Sequence, residues 1–384
     1  MKHNIPHIIL PMLIGLTFLY SCTSDPEVPD YTTGEEMTFD VATPTVTRAS
    51  VITTGTNIKT FRLYGDLNTA KVYINGEYFE GIRRIFDGTE VKYSGSKYNY
   101  GTTQYWLMGQ EYWFVALFPY SPQGVSDMTY DDSKLSFTYT LPSDLNNAVD
   151  LLAATDRRRF YLGSTTSSTT FSKVTFSFKH LLSQLNIQAA LDEDLMYKDD
   201  DDYEASDPDY RDEFIEFHRV EICGSKTTAT FTVAPAATLS SNPATIGTVD
   251  TKLIDSGEDS KLSKTFTTAK KLTNNKQFAS FFSNTDALLI MPQQFASDSE
   301  AKMVLTYTIN GNTERERQIE LPLAGYNWEA GKTYTYKFTV SKAYTGQIKE
   351  GSLTIEIDDF TTPGAQDRWI SDDESMKFDF DAPR

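Results

Sequence analysis

Val174-Thr175-Phe176-Ser177-Phe178-Lys179-His180 decides the fold class, because apolar and polar residues alternate through it at period two. Successive side chains of an extended chain leave opposite faces, so Val174, Phe176 and Phe178 line one face and Thr175, Ser177 and Lys179 the other. The same period runs through Tyr334-Thr335-Tyr336-Lys337-Phe338-Thr339-Val340 and through Met303-Val304-Leu305-Thr306-Tyr307-Thr308-Ile309. The last of these runs into Asn310-Gly311, and Lys71-Val72-Tyr73-Ile74 meets Asn75-Gly76. Both dipeptides favour the type I′ turn of a tight hairpin, because Asn and Gly tolerate positive φ. Short alternating segments between Gly, Asn, Asp, Ser and Pro turns recur along the chain, and helical periodicity is almost absent. An all-β protein of packed antiparallel sheets is expected. Helical exceptions should be single turns, such as His180-Leu181-Leu182-Ser183-Gln184.

With 384 residues, 39% hydrophobic and 13% aromatic, the chain can bury two cores of ordinary domain size. The strand ending at His180 turns through Leu181-Leu182 into Leu185-Asn186-Ile187, and the change from a first sandwich (49–184) to a second (185–384) is placed there. Ahead of both, residues 22–48 are rich in Thr, Pro, Glu and Asp and read as a tether that carries a removable N-terminal strand. A net charge of -18 argues against nucleic acid as a partner, since duplex binding rests on neutralising phosphates with Lys and Arg. The acidic run from Asp192 to Glu213 lacks the Gly and bidentate Glu spacing of a calcium loop and reads as a solvated loop.

At the N-terminus, Lys2 precedes the apolar run Ile8 to Leu19, which is short for a bilayer span and has the layout of a secretory signal. The run ends in Leu19-Tyr20-Ser21-Cys22, which resembles a bacterial lipobox. Residues 1–21 are therefore expected to be a signal peptide, Cys22 the lipidation site, and the outer membrane or cell surface the destination. Cys223 is the only other cysteine, so the fold must stand on its core rather than on an intrachain disulfide. Its strand-like setting, Arg219-Val220-Glu221-Ile222-Cys223, suggests a small buried hydrophobe.

Sites of chemistry are scarce. Gly325-Tyr326-Asn327-Trp328-Glu329-Ala330-Gly331-Lys332-Thr333 is one residue too long between its outer glycines for a phosphate loop. An alternating strand also follows it where that geometry needs a helix N-terminus, so it reads as a turn feeding Tyr334–Val340. His180 and His218 have no Cys or His at metal spacing and read as structural histidines. No G-x-S-x-G elbow occurs. Neither a cofactor nor a metal site is expected, and the chain does not read as an enzyme, although acids on different strands can form a glycosidase pair that spacing does not reveal. The aromatic cluster Tyr93, Tyr98, Tyr100, Tyr105, Trp106, Tyr112 and Trp113 suits either sugar stacking or strands with one wet face.

The two ends of the exported chain match each other. Met37-Thr38-Phe39-Asp40-Val41 and Met376-Lys377-Phe378-Asp379-Phe380 both place Met, Phe and a third apolar residue on one face, with Asp after Phe on the other. Cutting away the first strand would open a sheet edge over an apolar trench, and the tail of another subunit could fill it. Met37, Phe39 and Val41 are then the displaced strand, and Met376, Phe378 and Phe380 the donor strand. Between the first strand and the body, Thr43 to Ser50 is polar and contains one basic residue, Arg48, so a trypsin-like cut is expected between Arg48 and Ala49.

These features resemble the fimbrillin family, the type V pilins and related surface lipoproteins of Bacteroidales. Carrying the resemblance are the lipobox at Cys22, Arg48-Ala49, Leu117-Phe118-Pro119-Tyr120, Val149-Asp150-Leu151-Leu152-Ala153-Ala154, Phe176 to Leu185, and Trp328-Glu329-Ala330-Gly331-Lys332-Thr333-Tyr334-Thr335-Tyr336. The resemblance implies two transthyretin-like, Greek-key β-sandwich domains in tandem, lipoprotein export, cleavage after arginine, and donor-strand polymerisation into a fimbria that supports adhesion. Partners implied are other fimbrial subunits and the outer membrane through the lipid, with a host glycan or protein as a further candidate. The tail from Trp369 to Glu374 departs from a stalk subunit's pattern, so stalk, tip and anchor roles stay open, as does a monomeric glycan-binding lipoprotein.

Overall fold

The computed structural model describes residues 35–42, 58–74, 77–107, 110–159, 173–191, 214–237, 247–254, 260–272, 277–282, 288–309, 311–314, 316–341, 347–348 and 352–359. Strands form nearly all of its regular structure; among the described residues the one helical element is a short 3-10 turn at Leu145–Asn147. The fold is an all-β sandwich of packed, mainly antiparallel sheets.

A six-stranded sheet forms the wall between two hydrophobic clusters. Its core strands are Thr60–Ile74, Glu77–Tyr93, Glu111–Phe118 and Leu152–Arg159. Along Glu111–Phe118, Tyr112, Phe114 and Ala116 enter one cluster, while Val115 and Leu117 enter the other. That is why Trp113-Phe114-Val115-Ala116-Leu117 is a continuous apolar run and not an alternation: both faces of the strand are covered.

The cluster on the first face holds the N-terminal strand Thr38–Val41 and its neighbour Lys173–Phe176. The larger cluster joins the C-terminal strands with a hairpin from the earlier chain, Val125–Asp131 and Lys134–Thr140. Lys134–Thr140 pairs antiparallel with Thr228–Ala234, stacking Phe137 on Phe231 with centroids 5.6 Å apart. Asp66 anchors the hairpin to the wall. Its buried carboxylate accepts from Arg84 Nε at 2.8 Å and from Ser133 Oγ at 2.8 Å, and Arg84 also donates to the Tyr130 carbonyl at 2.9 Å.

Two stretches that carry the family resemblance, Leu181 to Leu185 and Trp328 to Tyr336, meet in this larger cluster. Ser183–Leu191 runs parallel to Lys332–Ser341, with Leu185 opposite Tyr334 and Ile187 opposite Tyr336. Trp328 Nε1 donates to the Tyr336 hydroxyl at 3.0 Å, and Phe295 meets the indole edge-on at 4.7 Å. Gly331, with φ of 72°, closes the turn into the second strand, as its reading as a turn requires. His180-Leu181-Leu182-Ser183-Gln184 is not the helical turn expected. It is a bend between strands Lys179–His180 and Ser183–Leu191, held extended by ladders on both sides and by buried Leu181 and Leu182. The loop after Ile309 is also longer than a two-residue hairpin, since Tyr307 pairs with Arg317.

Candidate functional site

The strand Thr38–Val41 fills a slot in the first cluster. Its polar residues face outward and its apolar ones inward, so Met37, Phe39 and Val41 are 1%, 3% and 8% exposed. It pairs in parallel with Lys173–Phe176 over four residues, Phe39 lying opposite Val174 and Val41 opposite Phe176. On its other side Met37 N donates to the Gln104 carbonyl at 2.8 Å, and Trp106 N to the Glu35 carbonyl at 3.0 Å. Tyr100 OH donates to the Met37 carbonyl at 2.7 Å.

Phe39 is the centre of the slot. Phe86, Tyr100 and Phe114 meet its ring edge-on, with centroids 5.5, 5.3 and 5.8 Å away, and Phe176 stacks on it at 5.8 Å. Burying such a side chain contributes about 1.5–3 kcal/mol, and each well-placed ring pair about 0.5–1.5 kcal/mol more. The box has this shape because Gly65 lies under two of its walls. A Cβ built there would stand 2.9 Å from ring atoms of both Phe86 and Phe114. On the outer face Asp40 pairs with Lys173 and accepts from Val41 N at 2.9 Å.

Burial pushes the phenols lining the slot upward. Tyr98, which donates to the Ile58 carbonyl at 2.7 Å, is raised to about 12 by desolvation and then by the charge of Asp40. Tyr100 is raised for the same first reason. Both stay neutral donors at physiological pH.

Of the residues singled out in the sequence, Met37, Phe39 and Val41 lie together in this slot. Cys22, Arg48, Ala49, Met376, Phe378 and Phe380 lie outside the described residues. The aromatic cluster is mostly core: Tyr98, Tyr100, Trp106 and Tyr112 are buried, while Tyr93 and Tyr105 keep exposed faces. His180 bonds Asp150 at 3.0 Å and His218 bonds Thr308 at 2.8 Å. Cys223 is not the buried hydrophobe expected but only partly buried, at the end of its strand, where the inward positions are taken by Val220 and Ile222. Among the described residues no group of His, Cys, Asp and Glu is arranged to hold a metal ion, and no helix is long and apolar enough to cross a membrane. Sequence reading missed Lys173 and Gly65. Gly65 had a signal, being a lone glycine inside the strand pattern Phe61-Arg62-Leu63-Tyr64-Gly65, the mark of a close approach.

A model described as fimbrillin-like matches residues 45–358. The chain belongs to the fimbrillin-like family. A comparison with curated protein sequences finds no match. A crystal structure of a fimbrial protein from Bacteroides vulgatus ATCC 8482 is similar, at 15% identity and a TM-score of 0.52, covering 85% of this chain and 99% of that one. The tip fimbrial protein Mfa3 of Porphyromonas gingivalis, solved with a C-terminal truncation, aligns at 9% identity and a TM-score of 0.35, over 85% of this chain and 100% of that one. Membership of the fimbrillin-like family implies a place on the cell surface and a structural or adhesive role rather than an enzymatic one.

Proposed function

We propose that this fimbrillin-like protein is a structural subunit of a cell-surface fimbria that assembles by strand exchange and supports adhesion. It is exported as a lipoprotein acylated at Cys22, cut between Arg48 and Ala49, and polymerised when the vacated slot receives residues 376–382 of another copy. The two sandwich domains, 49–184 and 185–384, belong to the same reading. The observation that carries it is the Phe39 box. An N-terminal strand of four residues fills a deep aromatic trench and, among the described residues, pairs along its length with the four-residue strand Lys173–Phe176, and a matching apolar pattern recurs in the sequence at the other end of the chain.

Removing the leader would expose the faces of Phe86, Tyr100, Phe114 and Phe176 together, and an exposed aromatic trench beside an open edge recruits another strand. Arg48→Ala is expected to leave an uncut lipoprotein monomer. Deleting 376–384 is expected to abolish ladders on unboiled gels, and polymer that persists through the deletion would exclude this donor strand. Export is checked by labelling with a lipid precursor, which Cys22→Ala should prevent.

A further inference from the structure

The four-stranded sheet that draws on both halves of the chain runs in the order Thr248–Ile254, Thr228–Ala234, Lys134–Thr140, Val125–Asp131. Its two central strands alternate strictly. Leu135, Phe137 and Tyr139 on one, and Ala229, Phe231 and Val233 on the other, are buried in the larger cluster. Facing outward between them are Ser136, Thr138 and Thr140, and Thr228, Thr230 and Thr232, all partly or fully exposed. The register sets these six in three pairs, Thr140 with Thr228, Thr138 with Thr230 and Ser136 with Thr232. Neighbours in such a grid stand about 4.8 Å apart across the strands and about 6.8 Å apart along them.

The grid is uncharged, on a chain whose net charge is -18. At its border, charges come as neighbours of opposite sign: Asp250 and Lys252 on the adjoining strand, and Lys134 bonded to Asp132 at the hairpin turn. The two outer pairs bond within themselves, Thr140 Oγ1 to Thr228 Oγ1 at 3.1 Å and Ser136 Oγ to Thr232 Oγ1 at 3.4 Å. Thr138 and Thr230, at the centre, have no hydroxyl partner among the described residues.

We infer that this face binds an uncharged polysaccharide, with the Thr138 and Thr230 hydroxyls at the centre of the contact. The inference deepens the adhesive part of the reading above and rests on that part, not on strand exchange.

Charge selects the class of ligand. An anionic polymer is repelled by the molecule as a whole, and a cationic one is drawn to its acidic surface and not to a neutral grid. Chemistry narrows the choice further. A hydroxyl both donates and accepts, and so does each hydroxyl of a sugar, so the central pair can be satisfied whichever way the ligand's dipoles point. The threonine methyls pack against the C–H faces of the rings. A protein partner fits less well, because the grid lacks the Trp, Tyr and Arg anchors on which protein interfaces depend. A second copy fits worst. Short side chains give two stacked sheets no interdigitated core, and both copies carry the same large negative charge.

The platform is rigid, with Phe137 stacked on Phe231 beneath it and Asp66 tying its hairpin to the wall through Arg84 and Ser133. Little order is therefore lost on binding. A shallow face without an aromatic anchor holds one chain weakly, and repetition along a fibre multiplies the hold.

The test is affinity electrophoresis of the full chain in native gels containing a neutral glucan, mannan or arabinoxylan, with polygalacturonate as the anionic control. At least one neutral polymer is expected to retard the chain, and polygalacturonate is not. Thr138→Val with Thr230→Val should weaken the retardation at least fivefold at an unchanged Tm, while Thr138→Ser with Thr230→Ser, which keeps both hydroxyls, should retain more than half of it. No retardation by any neutral polymer, retardation by polygalacturonate alone, or full retardation of the Val pair overturns the inference. So does a loss caused by Tyr93→Ala with Tyr105→Ala that the Val pair does not share, since it moves the site to the exposed aromatic rings. Polymer ladders on unboiled gels are read in parallel. Ladders without retardation sink this inference alone, and retardation without ladders sinks strand exchange alone.

Discussion

Of the two hydrophobic clusters, the one around Trp328 is closed by long ladders and the one around Phe39 by a short one. Ser183–Leu191 and Lys332–Ser341 share eight paired positions, and further strands flank both. Thr38–Val41 shares four with Lys173–Phe176. Yet its apolar residues are as deeply buried as those of the other cluster. A strand held mainly by side chains can leave without dismantling a sheet, because few backbone hydrogen bonds break. What it leaves behind is an apolar surface that water solvates poorly, so the vacancy must be refilled. Separability and demand for a replacement follow from the same uneven division between ladder and side chains.

The largest expected effect is on Phe39. Phe39→Ala should destabilise the uncut chain by about 3–5 kcal/mol in urea unfolding, the usual cost of deleting a buried ring. The same substitution should be silent in the chain already cut after Arg48, because residue 39 has gone; an equal loss in both forms would break the comparison.

Arg84→Ala should follow, since it removes the guanidinium that bonds the buried Asp66 carboxylate, 1% exposed, at 2.8 Å. Arg84 is itself a third exposed, so the expected cost is about 1–3 kcal/mol. This variant should loosen the hairpin Val125–Thr140 from the wall, read as faster amide exchange there with the Phe39 slot unchanged. Gly65→Ala pushes a methyl into Phe86 and Phe114 and should cost about 1–3 kcal/mol, felt in the first cluster alone.

Alkaline titration sharpens the contrast further. Tyr98, beside the leader, and Tyr139, in the other cluster, are both raised to about 12, mainly by burial. A phenol whose pKa is raised by folding stabilises the fold fully below its unfolded value, about 10, and this stability is lost as pH climbs toward 12. Asp40 contributes to Tyr98, so removing the leader should lower the Tyr98 midpoint and leave Tyr139 where it was, as read by tyrosinate absorbance of Tyr→Phe variants. The smallest effect belongs to Lys173→Ala, within about 1 kcal/mol, because the Asp40 pair is half-exposed and screened by water and salt.

Strand character was legible wherever one face is buried and the other wet, because alternation follows from geometry alone. Thr38–Val41, Lys173–Phe176 and Thr228–Ala234 all carry that pattern and all are strands. Glu111–Phe118 was harder, since a strand buried on both faces loses its period. Leu181-Leu182 misled for a related reason: a short apolar run has no period to distinguish a turn of helix from a bend between ladders.

The amino-acid order by itself determined the class of the fold, the absence of a disulfide framework, the acidic surface, and the likeness of the two ends. Those properties depend on residue type and near spacing. Only the tertiary structure decided that Phe39 meets Phe86, Tyr100, Phe114 and Phe176 at once, that Gly65 makes room for them, and that Lys173 stands beside Asp40. These partners come from five separate stretches of chain. Which strand lies beside which is settled by how the whole molecule packs, and local sequence carries no record of it.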